Sequence, residues 1–283
     1  MFKADLLKNK RIIVTSGGTG IGKAMARQFL ELGAEVAITD NNPEILEKAA
    51  QALASIGPVS TFVLDISSAT EVDRVIGEIW SGGSVHALVN NADEPFVSRT
   101  EELSPTGFDE IANNALHGTF YATNAVGRRW IAEGSKGSVL SIVATWAWTG
   151  SPYVTASAMS KAAIASMTQG LAVEWGPKGI RLNAIAPGVF LNEDVSGSNQ
   201  NGGGPLETDS TPLRRKGRYS ELANLATFLL ADGCDYVTGE VIAIDGGQWL
   251  NGAGTFARYA SLSSEDWKSI RSQSWKGADK KST

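Results

Sequence analysis

Ile12-Ile13-Val14-Thr15-Ser16-Gly17-Gly18-Thr19-Gly20-Ile21-Gly22 is the stretch that decides the fold. Three β-branched residues in a row suit a strand buried on both faces. The glycines behind them let the backbone turn sharply and come close to a ligand, with N–H groups and a helix N-terminus aimed at a phosphate. Residues 23–32 have helical spacing: Ile21, Ala24, Met25, Gln28, Phe29 and Leu32 recur at three and four positions, and Gly33 stops them. A second run, Val36-Ala37-Ile38-Thr39, closes on Asp40. An acid about 20 residues past such glycines accepts hydrogen bonds from an adenosine ribose. Strand, turn, helix, strand and acid in this order imply a bound dinucleotide. The Asp40 carboxylate would repel a 2′-phosphate, and Asn41 and Asn42 bring no cation, so NAD(H) is expected in preference to NADP(H).

At 283 residues the chain suits one large α/β domain better than two, and a hydrophobic content of 42% supports a single core. The 25 basic and 30 acidic residues give −5, with no basic block able to follow a nucleic-acid backbone, so nucleic acid is not expected as a partner. The lone Cys234 excludes an internal disulfide and a Cys-rich metal site, and no metal is expected. Lys3, Asp5, Lys8 and Lys10 interrupt any apolar leader, and no run approaches a membrane span, which leads to a soluble, cytoplasmic protein.

Strands and helices alternate along the chain, predicting a single-domain, doubly wound parallel sheet of about seven strands flanked by helices. Strands are expected at 59–64, 87–89, 138–143, 181–185 and 240–244, besides the two above. Helices are expected at 43–55, 70–80, 108–133, 152–175 and 220–230. Asp65 and Ile66, past the third strand, would meet adenine edges. Ser263-Ser264-Glu265-Asp266 reads as a capped helix start, carrying Trp267 and Ile270 on one face. The division is therefore a dinucleotide-binding domain over 1–255 and a helical extension over 256–283.

The glycine turn, Asn90-Asn91-Ala92, Lys161 in a helix after the fifth strand, Arg181-Leu182-Asn183 with Pro187-Gly188, and Asp245-Gly246-Gly247 together resemble the short-chain dehydrogenase/reductase superfamily over nearly the whole chain. Within it, Gly17-Gly18-Thr19-Gly20, residues 99–105, Thr149-Gly150-Ser151 and residues 256–267 resemble the 2,4-dienoyl-CoA reductase branch. The resemblance implies a Rossmann-type sheet and a nicotinamide dinucleotide on Ser16, Gly17, Thr19, Gly20, Ile21, Asn91, Ala92, Lys161, Pro187, Gly188 and Val189, with Asp40, Asp65 and Ile66 at the adenosine end. It implies a homotetramer or homodimer, and a mobile substrate lid at about 192–214. The superfamily's catalytic tyrosine falls on Ser157, its serine on Ala144 and its asparagine on Ala115. The dienoyl-CoA branch's own tyrosine and asparagine fall on Trp146 and Pro95, and the threonine usual after Pro187-Gly188 is Asn192. An indole gives up no proton near neutrality and proline has no polar side chain, so the branch's own acid chemistry is vacant here.

Lys161 keeps its implied role: its ammonium holds the ribose hydroxyls and lowers the pKa of a nearby hydroxyl or phenol. Ser157, one turn earlier, either orients substrate or water or simply fits the helix against its neighbour. Tyr153 is a replacement acid if the helix already includes it, or else a pocket-wall aromatic. His117 is a proton shuttle or a polar helix residue at a subunit contact. Pro95, Trp146, Trp148, Tyr153 and Asn192 would line the substrate pocket, favouring a flat apolar substrate, though the aromatics fit a core equally. Arg214, Arg215, Lys216 and Arg218 suit a CoA phosphate or a solvated turn. The expectation is an NAD(P)(H)-dependent oxidoreductase moving hydride to or from a carbonyl or conjugated double bond of a small aromatic or acyl-CoA substrate. The alternative is a dinucleotide-binding sensor or scaffold with little turnover.

Overall fold

A computed structural model describes residues 1–91, 96–190, 211–253, 259 and 261–276, the last six by backbone alone. Seven parallel strands form one sheet: β1 (Arg11–Thr15), β2 (Glu35–Asp40), β3 (Val59–Val63), β4 (Ala87–Asn90), β5 (Gly137–Ile142), β6 (Ile180–Pro187) and β7 (Val241–Ile244), in the order β3-β2-β1-β4-β5-β6-β7. The direction of winding reverses between β1 and β4, which opens a crevice at their carboxyl ends where ligands of such sheets bind.

Both faces of the sheet are covered, which is why the strands read as near-continuous apolar runs. Within β1, Ile12 and Val14 enter one cluster with Met25 and Phe29 of α1 (Gly20–Glu31), Leu46 of α2 (Pro43–Leu53) and Leu222 of α8 (Tyr219–Leu230). Ile13 points the other way, to Val72 and Ile76 of α3 (Ala69–Ser81), Trp130 of α5 (Gly118–Glu133) and Trp175 of α7 (Thr155–Trp175). That is the period-2 alternation of a strand serving two layers. Among the described residues no helix is long and apolar enough to cross a membrane, and no His, Cys, Asp and Glu group could hold a metal ion.

Local chemistry sets the helix starts. Asn42 accepts from Glu44 N (2.9 Å) and Ile45 N (3.4 Å) with Pro43 in the first turn of α2, and Ser68 accepts from Glu71 N (3.3 Å) at α3. Ser104 does the same for Gly107 N (3.0 Å) at α4 (Pro105–Ala112). The capped start expected at 263–266 is present: Ser263 and Asp266 bond each other reciprocally at the head of α10 (Ser264–Lys276), the contact at Asp266 N being 3.2 Å.

Two expected helices differ. The one expected over 108–133 is α4, a π-helical turn at Asn113–His117 and then α5, because the residues admit one wider turn without losing their apolar face. The one expected from 152 begins at Thr155, since Tyr153 takes a left-handed φ of 66°. Tyr153 is therefore not on the helix of Lys161, and the condition on which it would serve as a replacement acid is not met. The third strand closes at Val63 rather than 64. Ala92, Pro95, Asn192, the bulk of the expected lid and the 255/256 boundary lie outside the described residues.

Candidate active site

The turn after β1 is held by its neighbours before any ligand is considered. Ser16 sits at φ 47°, and Gly17 N donates to Thr39 O at 3.1 Å. Asn91, just past β4, donates its N to Thr15 Oγ1 (2.9 Å) and its Nδ2 to Ser16 O (3.1 Å). These bonds fasten the two strand ends that border the crevice. A Cβ on Gly17 would lie 2.7 Å from Ile38 Cγ2, and one on Gly22 only 2.4 Å from Ser16 O and 2.5 Å from Asn91 Nδ2. At Gly22 the close approach of backbone to backbone demands glycine, and at Gly17 the packed Ile38 side chain does.

Thr19 precedes α1 in an extended conformation (φ −140°) and makes no side-chain cap bond, unlike the residues before α2, α3 and α4. Asp40 ends β2 with Oδ2 at 3.5 Å from where a Gly18 Cβ would stand, and its Oδ1 accepts Asn42 N at 3.1 Å. Asp65 is turned by Ser67, whose N and Oγ donate to its Oδ1 at 2.9 and 2.6 Å. Ile66 packs so closely on Gly118 that a Cβ there would sit 2.6 Å away. A narrow glycine cradle with an acid over it and apolar Ile66 beyond fits a dinucleotide. Tyr219, at the start of α8, was not foreseen: it is buried, with its hydroxyl 3.7 Å from the Cβ position of Gly20.

On the other side of the crevice, Lys161 is 7% exposed and its Nζ donates to Ile142 O, the last carbonyl of β5, at 3.1 Å. Ser157 is 0% exposed, and its Oγ accepts Phe96 N at 3.4 Å. Ala115 and Ala144 are also buried. Asn90 donates to Thr123 Oγ1 (2.9 Å) and Ser141 Oγ (3.2 Å), and its buried Oδ1 has no hydrogen-bond partner among the described residues.

Tyr153 and His117 do not join this buried group. Tyr153 is 58% exposed, and its carbonyl accepts Ser98 N at 2.8 Å. His117 is exposed and bonded through Nδ1 to Asn113 Oδ1 at 2.8 Å, with its ring 6.0 Å from that of Tyr121. Trp146 opens the short α6 (Trp146–Thr149) half-buried, and Trp148 stacks on Trp249 of α9 (Gln248–Ala253) with ring centroids 5.1 Å apart.

Past β6, Gly188 N donates to Ile244 O (3.1 Å), and Val189 O accepts Gly217 N (3.0 Å). A cavity of about 180 Å³ opens there, bordered by Val189, Phe190, Leu213, Arg215, Glu221 and Ile244. Arg215 grips Glu221 with both guanidinium nitrogens (2.8 and 2.7 Å), and Arg218 adds 3.0 Å. These partners and the Arg218 backbone hold the Glu221 carboxyl at about 2, well below its ordinary 4.5.

A family model described as enoyl-(acyl carrier protein) reductase matches residues 17–248. A probable 2,4-dienoyl-CoA reductase of Bacillus subtilis (strain 168) is 39% identical over 258 residues, covering 87% of this chain and 98% of that protein. Among solved structures, a short chain dehydrogenase from Bacillus anthracis str. 'Ames Ancestor' matches with TM-score 0.79 and 38% identity, over 84% of this chain and 96% of that one. A gluconate 5-dehydrogenase from Burkholderia cenocepacia J2315, in complex with NADP and tartrate, matches with TM-score 0.79 and 28% identity, over 87% and 97%. With a family model matching residues 17–248 and a relative 39% identical along nearly its whole length, this chain is a member of the short-chain dehydrogenase/reductase superfamily, an oxidoreductase family with 2,4-dienoyl-CoA reductases among its relatives.

Proposed function

We propose that the chain is an NAD(H)-preferring oxidoreductase that transfers hydride to or from a conjugated double bond or carbonyl of a flat, apolar, acyl-CoA-like or aromatic substrate. The observation that carries this is the joined geometry of the Ser16 turn, Asn91 and Asp40: a cradle too narrow for a Cβ at Gly22, with a carboxylate poised for ribose hydroxyls. A nicotinamide bound there supplies or accepts the hydride. NADP stands in two related structures, so the preference for NAD(H) rests on Asp40 alone, whose charge opposes a 2′-phosphate.

Pro187, Gly188 and Val189 would edge the nicotinamide, Ile66 and Asp65 the adenine, and Ala92 the ribose. Lys161 would hold ribose hydroxyls from beneath and raise the acidity of a nearby proton donor. Tyr153, outside the helix of Lys161 and 58% exposed, is read as a pocket-wall aromatic rather than as that donor. A bulky side chain at φ 66° is strained, and such strain clusters at functional sites. Ser157, buried on Phe96 N, then orients the chain rather than giving a proton, and His117 serves the solvent-facing side. An extended enone needs little help from an enzyme acid, which suits a site built without the family's usual tyrosine. Trp146, Trp148, Pro95 and Asn192 would bound the substrate, with the segment 192–214 as its lid. Exposed Phe120, Met159 and Val173 on α5 and α7 suit a homo-oligomer.

The test combines calorimetry with turnover. NADH should bind, 2,4-dienoyl-CoA or enone substrates should oxidise it, and Lys161→Ala should abolish turnover while leaving NADH bound. Tyr153→Phe, which keeps the ring, should leave turnover nearly unchanged; a fall of roughly 10²-fold, the usual contribution of a positioned acid, would make Tyr153 the donor instead. NADH binding without turnover on any ketone, enone or enoyl-CoA would leave only a sensor.

A further inference from the structure

We infer that Trp148 and Trp249 together form the wall that selects the apolar part of the substrate, so the site takes an extended hydrocarbon chain or a flat ring and rejects polyols. This rests on the reading of the crevice as an oxidoreductase site. α6 leaves the carboxyl end of β5 and α9 that of β7, and β6 lies between those two strands. The two indoles meet across it, centroids 5.1 Å apart and planes tilted by 42°. Beneath them a Cβ on Gly188 would lie 2.6 Å from Asp245 Cβ and 3.2 Å from Gln248 Oε1, so the chain leaving β7 rests directly on the end of β6.

Asp245 fixes that approach. Its Oδ1 accepts Gly247 N at 2.9 Å and its Oδ2 accepts Trp249 N at 2.7 Å, which starts α9 and turns Trp249 toward α6. Trp148 remains 42% exposed, and Leu250, which follows Trp249 in α9, 60% exposed. An apolar surface therefore stands beside the crevice in which Lys161 meets the end of β5. Adjoining large apolar side chains left in solvent mark a binding surface. Each indole donates a single N–H and accepts nothing, so the pair offers little to a substrate made of hydroxyls and much to a planar or extended hydrocarbon. No reading of the sequence pointed to Trp249, which lies beyond the last strand.

Calorimetric titration with hexanoyl-CoA and decanoyl-CoA, in the presence of saturating NAD⁺, tests this without requiring turnover. Each methylene that reaches the indoles adds up to about fourfold in affinity, so decanoyl-CoA should bind the native protein at least roughly tenfold more tightly than hexanoyl-CoA. Trp148→Ala and Trp249→Ala should each cut that ratio to about threefold or less, and Trp249→Phe should restore most of it. NADH affinity should stay unchanged in all three. Equal binding of the two acyl chains by the native protein, or an undiminished ratio in both alanine variants, overturns the inference. A chain-length preference that depends on the pair, found in a protein without turnover, would sustain it while the oxidoreductase reading fell. Turnover with the ratio intact in the variants would do the reverse.

Discussion

Gly22 is the residue whose replacement tests the cradle most directly. A Cβ there meets the Ser16 backbone carbonyl and the Asn91 side-chain amide that is bonded to that same carbonyl, so the turn itself must shift. Gly22→Ala should cost about 1–3 kcal/mol of stability, as overpacking does, and weaken NADH binding at least roughly tenfold. Urea unfolding and calorimetry read the two effects separately. His86 offers a different residue-level test. Its Nδ1 accepts Arg11 N at 3.0 Å, and burial, with Lys10 adding to it, holds its pKa below the ordinary 6.5. The unfolded chain takes up this proton from about pH 6.5 downward while the native protein resists, so the contribution is complete above that value and is lost as pH falls below it. The urea midpoint should fall between pH 7.5 and 5.5, and His86→Gln should remove that slope. The glycines and Asp40 were legible from spacing within one strand-turn-helix-strand unit, and Lys161 only through the family resemblance. Tyr219 and Trp249 were not: they reach the site only when α8 and α9 fold back from the far end of the chain.

Among elements, the inner strands were read closely because a strand covered on both faces needs a near-continuous apolar run; β1, β2, β4, β6 and β7 end where a polar or glycine residue begins a loop, whereas apolar Leu64 and Val143 follow β3 and β5. The helix breaks were hidden. A π-helical turn at Asn113–His117 keeps the periodicity on both sides, and Pro152 looks like an ordinary helix start although Tyr153 turns left-handed and delays α7 to Thr155. α8 begins by another device. Glu221 accepts Arg218 N at 2.9 Å while Arg215 and Arg218 hold its carboxylate, which joins the basic turn to the helix that carries Tyr219. With its pKa at about 2 against 4.5, Glu221 contributes stability that is present above pH 4.5 and lost as pH falls through 2. Glu221→Gln should cost about 1 kcal/mol, the usual scale of a cap with partly exposed ion pairs. It should also remove part of the acid dependence in that window. Equal acid profiles for the two proteins would mean that the pairing adds nothing to the cap.

For the molecule as a whole, the two helical layers meet on one sheet, and the dinucleotide crevice lies where its winding reverses, between β1 and β4. Residues from β1, β2, β4, α1 and α8 converge there, so the site exists only in the native state and a ligand bound to it must stabilise the entire fold. At a free concentration of a hundred times its Kd, NADH should add about 2.7 kcal/mol. A domain of this size gains roughly 2–4 °C per kcal/mol, so the thermal midpoint should rise by about 5–10 °C. NADPH at the same concentration should raise it by clearly less, because Asp40 opposes the additional phosphate. Asp40→Ala should bring the two shifts together by weakening the first and relieving the second. Equal shifts in the native protein would remove Asp40 as the discriminating residue. No shift with either nucleotide would separate this chain from the chemistry of its relatives, and its crevice would then need another occupant.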